Sequence, residues 1–428
     1  MKTGKGFLIA PALAASLCLP AAPASAQALS ISPEGWTRLE ARENADFDAA
    51  GPNDPHDDLS RLRLNLTWKS RPEWSAFVQP QYAYRRVHGA PGANTRQDEM
   101  AIHQGYVDLT AAGGRLRLGR QEMAFGDARL LGAGNWTHTG RSFDAVRLTR
   151  ALPSAKTTLD LFAGKLGHVA NKTNNPTLAG LYATRTVSTA AATDLYLLYK
   201  GDRASGRSQE VWTPGVRSRL AWGRGFDATA EAAYQLGHLA GRDVSAWAYS
   251  AAAGYTVPGP LGLRLGLEHD FASGSADPTG AGTAGTGDFH TFDHLFPTNH
   301  FHYGTMDLVG WRNMAAWRAS LRARPAARWT VVLDGWRFRL ANARDFWYGD
   351  NGRPVRGADG QPLRDPSGTA GRDLGSELDL TLTYVNGKHI SISGGYSRFW
   401  PGDFVRRTNS GASAGASDWL YLQTNYTP

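Results

Sequence analysis

About eighteen segments of this chain alternate apolar and polar residues, and the connections between them alternate short and long. Successive side chains of a strand point to opposite faces, so a period of two means one greasy face and one wet face. In segment 61–68, Leu62, Leu64, Leu66 and Trp68 face one way and Arg61, Arg63, Asn65 and Thr67 the other. Segment 377–384 sets Leu378, Leu380, Leu382 and Tyr384 against Glu377, Asp379, Thr381 and Thr383. Segment 263–270 sets Leu263, Leu265 and Leu267 against Arg264, Glu268 and Asp270. Leu116 and Leu118 oppose Arg115 and Arg117, and Trp317, Ala319 and Leu321 oppose Arg318, Ser320 and Arg322.

Short connections fall at 69–73, 111–113, 151–155, 187–190, 223–225, 257–260, 325–327 and Asn386-Gly387. Longer polar ones fall at 44–58, 86–99, 124–141, 272–312 and 341–373. A soluble sandwich has no reason to keep its long loops at one end. A barrel in an outer membrane does, with short periplasmic turns and longer outer loops. Many segments reach the ~9–11 residues of a tilted spanning strand, against ~5–6 for soluble strands. The chain closes on 418–426, where Leu420, Leu422, Thr424 and Tyr426 share a face. The competing reading is a set of half-buried soluble strands with charged outer faces. The pattern predicts an all-β fold: one transmembrane antiparallel β-barrel of about eighteen strands over 27–428, with no Pro/Ser linker dividing it.

The first residues give an address. Lys2 and Lys5 precede an apolar run at 7–19 and the small-residue signal Ala24-Ser25-Ala26, so 1–26 reads as a cleaved secretory signal peptide. The only cysteine, Cys18, lies within it, which leaves the mature chain no disulfide, Cys-ligated metal or thiol nucleophile. No later apolar stretch is long enough for a spanning helix, as suits a wall in which only alternate residues meet lipid. The 14 Trp, 15 Tyr and 16 Phe suit interfacial girdles. These features place the protein in the outer membrane, against its lipid.

Polar faces turned inward would carry the chemistry. The basic candidates are Arg38, Arg61, Arg63, Arg115, Arg117, Arg147, Arg217, Arg219, Arg318 and Arg322. The acidic ones are Glu40, Asp108, Asp160, Asp194, Glu231, Glu377 and Asp379. A lumen of about eighteen strands is too wide for wall side chains to fill, so water or loops occupy it. Arginine outnumbers lysine 38 to 8; its planar fork suits carboxylates and phosphates, although a GC-rich coding sequence gives the same bias. An arginine lining predicts an anion path, while acids placed across strands predict wall-holding pairs. Segment 329–340 is clean on neither face, which calls for a bulge near Gly335 or an apolar patch in the lumen.

Three motifs go beyond a generic barrel: Gly119-Arg120-Gln121-Glu122, the run from Asn135 to Asp144, and the run from Phe296 to Asp307. With the signal peptide and strand count, they make the chain resemble alginate-export-type outer-membrane proteins over essentially the whole mature length. The resemblance implies an eighteen-stranded monomeric barrel with an arginine-rich, electropositive constriction, in a family whose type member passes a polyuronate outward. The matched positions Arg120, Gln121, Arg141 and Asp144 are implied at the mouth of one loop, as pore residues or as an Arg–Asp pair that pins it. The expected function is an outer-membrane channel for anionic small molecules or polysaccharide-like solutes.

Two other function classes are weighed. A barrel enzyme acting on lipid would use His389 and Ser391, but these follow the Asn386-Gly387 turn and have no evident acidic partner. A non-conducting structural or adhesive barrel is compatible with the long loops. His290, His294, His300 and His302 cluster beside Asp288 and Asp293 in a loop that also carries the low-complexity run 280–287; the expected reading is a polar loop without metal. No phosphate-binding or nucleophile motif appears, so no cofactor and no enzymatic activity are expected. The formal charge of +8, or +6 without Lys2 and Lys5, does not imply nucleic acid, which an exported barrel would not meet.

Overall fold

The computed structural model describes residues 28–51, 53–90, 93–167, 175–202, 208–279, 287–409 and 414–428. The expected signal peptide, 1–26, and most of the low-complexity run 280–287 lie outside them. The first nine strands are β1 (Ala28–Glu43), β2 (His56–Arg71), β3 (Trp74–Ala90), β4 (Ala93–Ala111), β5 (Gly114–Gln121), β6 (Phe143–Leu152), β7 (Thr157–Leu166), β8 (Thr177–Ser188) and β9 (Ala191–Asp202). The remaining nine are β10 (Gln209–Trp222), β11 (Phe226–Leu239), β12 (Arg242–Thr256), β13 (Arg264–Ala272), β14 (Met314–Ala326), β15 (Trp329–Arg339), β16 (Asp373–Asn386), β17 (Ile390–Pro401) and β18 (Ser417–Tyr426). Each pairs antiparallel with its neighbour in sequence, and β1 pairs with β18 from Gly35↔Tyr426 to Glu43↔Asp418. One chain thus closes an 18-stranded barrel. Closure leaves no open sheet edge, which a hydrocarbon surround requires.

Alternation sets the faces as the sequence predicts. Leu62, Leu267, Leu378 and Leu420 are exposed on the outer wall, whereas their neighbours Arg61, Glu268, Glu377 and Trp419 are buried inside. Exposed Trp212, Trp222, Trp247, Trp317, Trp329, Trp400 and Tyr426 sit on the outer face as interfacial anchors.

The loop rhythm holds with two exceptions. Residues 86–99 are not a loop: β3 and β4 continue as a paired hairpin through Arg86↔Arg96 and Val87↔Thr95. A strand that rises out of the hydrocarbon into the headgroup level and beyond is polar on both faces and so looks like a loop in the sequence. The β11–β12 connection, also at the outer end, is only Ala240-Gly241, both with positive φ (52° and 80°), the conformation a tight two-residue hairpin turn needs.

The core lies inside the barrel. Met123 and Leu131 from loop 122–142, Phe292, Tyr303 and Trp311 from loop 273–313, and Trp347 from loop 340–372 are all buried there. They pack in one cluster with inward wall residues such as Phe143, Phe338 and Phe399. This resolves segment 329–340. Pairing runs unbroken through Gly335, so there is no bulge there. Trp336 and Phe338 instead form an apolar lumen patch, stacked with centroids 5.4 Å apart. Three outer loops therefore fold down and fill much of the space that the strand count opens.

Candidate functional site

Three of the inward arginines hold a loop. Arg38 donates to the Trp136 carbonyl (3.0 Å), and its guanidinium lies 3.7 Å from the Trp136 ring centroid. Arg61 donates to the carbonyls of Asn135 and Thr137, both at 3.2 Å. Arg63 reaches Asn135 Oδ1 (3.1 Å), Gln81 Oε1 (2.6 Å) and Glu122 Oε1 (3.1 Å). All three guanidinium groups are buried and engaged, so they fix loop 122–142 against β1 and β2 (Ala28–Glu43, His56–Arg71) rather than line open water.

Most of the others pair within the wall. Arg117 makes two 2.7 Å bonds to Asp108, and Arg147 one of 2.8 Å to Asp160. Arg217 lies 3.2 Å from Asp194, and Arg318 lies 2.7 Å from Asp334 and 3.3 Å from Glu268. Arg115, Arg219 and Arg322 differ: among the described residues none has a carboxylate partner. Their strand neighbours are Thr110 and Thr149, Ala192 and Thr229, and Arg264 and Val332. All three stand on the inward face near short turns, at the periplasmic end.

The motif positions separate. Arg120 and Asp144 form a bidentate pair (2.7 and 3.0 Å), but they share the register and face of Leu118 and Val146, which are exposed on the outer wall. They are thus the Arg–Asp pair that was one of the two expected readings, but they lie on the outer wall and not as pore residues. The reason is that β5 (Gly114–Gln121) continues through Gln121, so alternation from Arg115 and Arg117 turns Arg120 outward. Gln121 points inward, fully buried, and donates to the Ala145 carbonyl (3.1 Å). Arg141 donates to the carbonyls of Gly132, Phe296 and Pro297 at 3.0, 2.6 and 2.8 Å, tying loop 122–142 to loop 273–313. Burial pushes its guanidinium down to about 10.

Glu377 and Asp379 are a clamp. Glu377 Oε1 accepts from the Met306 amide (3.0 Å), and Asp379 Oδ1 accepts from the Thr305 hydroxyl (2.7 Å). Gly304 has φ +86°, and a Cβ there would lie 2.5 Å from Glu377 Oε1, so the close approach needs glycine. One functional residue was not found from sequence. Arg129, in loop 122–142, donates to Glu268 and to Asp270 (3.1 Å) on β13 (Arg264–Ala272) and to the Tyr303 hydroxyl (3.0 Å) of loop 273–313. Its only sequence signal was the pair of inward acids at 268 and 270, which lack enough cations on their own strand.

Between these loops and the wall lies a cavity of about 560 Å3, lined among others by Gln81, Glu99, His138, Arg141, Asn299 and Asp350. Burial and then the neighbouring Asp307 push the Asp350 carboxyl up to about 7. The loop histidines disperse rather than converge. His290 meets the Ser245 carbonyl (2.6 Å), His294 meets Asn299 (3.3 Å), His300 meets Asp307 (3.0 Å), and His302 meets the Asp127 carbonyl (2.8 Å). Burial lowers His294 to about 3 and His302 to about 4. Burial alone would raise Asp293, but Lys200 at 2.6 Å and Arg312 hold it well below the usual range. Among the described residues no group of His, Cys, Asp or Glu could hold a metal ion. His389 and Ser391 do not meet: His389 contacts the Thr427 carbonyl (3.0 Å), while Ser391 accepts from Asn425 (3.3 Å).

Solved structures with this architecture are porins of Pseudomonas aeruginosa. OccK11 (OpdR) superposes with a TM-score of 0.59 at 11% identity, covering 93% of this chain and 95% of that one. OccK5 (OpdH) gives 0.58 at 10% identity, covering 94% and 98%. OprD gives 0.58 at 13% identity, covering 92% of each. At such identities the likeness is one of fold. No curated protein matches the sequence. The family model for alginate export matches residues 27–417, nearly the whole chain. This closed barrel is an outer-membrane channel for solutes, and the chain belongs to the alginate export family.

Proposed function

We propose that the channel selects anionic, sugar-acid-like solutes, and that the selecting charge sits at its periplasmic mouth. The observation that carries this is the trio Arg115, Arg219 and Arg322, inward arginines left without carboxylate partners while Arg117, Arg147, Arg217 and Arg318 are neutralised. Unpaired guanidinium groups gathered on the inward face raise the local concentration of carboxylates at the mouth. Paired acids nearby keep the site from becoming a trap, since conduction needs binding weak enough to release. The closed one-chain sheet supports a monomeric unit. The separation of His389 from Ser391 supports transport rather than lipid turnover.

The test is the reversal potential across a planar bilayer in a salt gradient. The unaltered protein should prefer anions, and replacing Arg115, Arg219 and Arg322 together by glutamate should reverse that preference. Arg61→Glu with Arg63→Glu should instead loosen loop 122–142 and change conductance more than selectivity. Cation preference in the unaltered protein would end the proposal.

A further inference from the structure

The outer wall carries a charged strip that no pore function uses. On β3 (Trp74–Ala90), Val78, Tyr82 and then Arg86 follow one another up the lipid-facing side; on β4 (Ala93–Ala111), Ile102, Met100, Asp98 and Arg96 do the same. Register sets Tyr82 beside Met100, Tyr84 beside Asp98, and Arg86 directly opposite Arg96. Like charges directly opposite in a ladder destabilise it unless a counter-charge lies between them. The carboxylates at hand are engaged. Asp98 accepts from Arg96 (2.8 Å), and Asp58, opposite Arg86 on β2 (His56–Arg71), lies 3.5 Å from His88. Arg86 has no acidic partner among the described residues.

A second charged row lies nearer the periplasm: Gly105 pairs with both Val78 and Arg120, so Arg120 stands in the row of Val78, eight residues along β3 from Arg86. Arg120, Asp144 and Lys165 lie in one register across β5, β6 and β7 (Gly114–Gln121, Phe143–Leu152, Thr157–Leu166), one pleat beyond Leu118, Val146 and Ala163. Arg120 takes Asp144, so exposed Lys165 is left without an acidic partner among the described residues. Arg86 stands near the outer end of its strand. On β3, Arg86 lies directly beyond tyrosines of the kind that mark the lipid interface. That is the level of lipid headgroups, not of hydrocarbon.

We infer that this rim, centred on Arg86 and Arg96, binds the phosphate of a phosphorylated lipid in the outer leaflet. A phosphate placed between two opposed guanidinium groups supplies the counter-charge that Arg86 lacks and accepts N–H donors from both. The acyl chains below it would lie along the exposed Val78, Met100 and Ile102 face.

The experiment uses the full barrel in mild detergent and native mass spectrometry. A bis-phosphorylated glycolipid, the same lipid with its phosphates removed, and inorganic phosphate are each offered. The phosphorylated lipid should bind, and removing its phosphates should weaken binding about tenfold or more. R86Q/R96Q should show a similar loss while keeping heat-modifiable mobility and single-channel conductance, and K165Q, in the other row, should bind as the parent does. Equal binding of the two lipids by the unaltered protein would overturn the inference. So would unchanged binding by R86Q/R96Q, or full displacement of the lipid by millimolar inorganic phosphate, which would make the site one for a free anion.

Discussion

Arg129 is the single side chain whose loss should open the channel most. Its guanidinium is buried, as are two of the three carboxylates it serves, with 0% exposure at Asp270 and 7% at Glu268; the third, Asp127 at 3.3 Å, is partly exposed and keeps Arg217. Removing one partner of a buried ion pair costs ~3–5 kcal/mol, because the other charge stays behind without compensation. Glu268 keeps Arg318 at 3.3 Å, so the lower bound applies. About 3 kcal/mol taken from the closed arrangement raises the population of displaced loops roughly 100-fold. Arg129→Met keeps the bulk and removes the charge. In planar bilayers it should give larger or flickering unitary currents, and protease should cut loop 273–313 about 100-fold faster. The barrel itself should survive, read as unchanged heat-modifiable mobility. Adding Glu268→Gln and Asp270→Asn should restore much of the quiet state, since a neutral site has no stranded charge. Currents and cleavage identical to the parent in Arg129→Met would refute the idea that this ion cluster holds the loops.

Three further outcomes are expected. Gly304→Ala should displace loop 273–313 from Glu377 at a cost of ~1–3 kcal/mol, seen as faster hydrogen exchange at the Met306 amide; unaltered exchange there would contradict the clamp. Asp350, with its carboxyl pushed up to about 7, adds a negative charge to the cavity as pH rises through neutrality, so anion preference should fall between about pH 6 and 8 and be flat in Asp350→Asn. The folded state keeps that proton above the usual aspartate value of ~3.9, so this group's contribution to stability declines as pH climbs from about 4 to about 7, and a melting series that rises over that span in the parent relative to Asp350→Asn would reverse the sign. A cysteine introduced by Thr279→Cys should react with an impermeant reagent on intact cells; reaction only after the outer membrane is breached would invert the assigned orientation.

The wall was legible because a period of two is a local property. Arg61 against Leu62, or Glu377 against Leu378, declares its face without any knowledge of neighbours. What a residue on that face touches is not local. Arg117 meets Asp108 across a hairpin, and Arg129 meets Asp270 across the lumen; alternation fixes direction but not register or loop path. That is why an arginine-rich lining was expected where paired arginines and loop anchors stand. The hairpin at 86–99 was missed because pairing beyond the hydrocarbon has no greasy face to reveal it. For Arg120 and Asp144 the pair was foreseen but not its side of the wall, because the motif was read as the mouth of a loop, although continuing the alternation from Arg115 turns Arg120 outward.

The oily centre of this barrel is donated by loops 122–142, 273–313 and 340–372, segments remote from one another along the chain. Such a centre cannot assemble until the staves around it have joined, because its pieces have nothing to pack against before then. Filling from above is therefore the late step of maturation, and the hollow cylinder that precedes it should be leakier than the finished channel. Currents recorded during insertion should begin large and settle downward; a pore that appears at its final size would mean that wall and stopper form together.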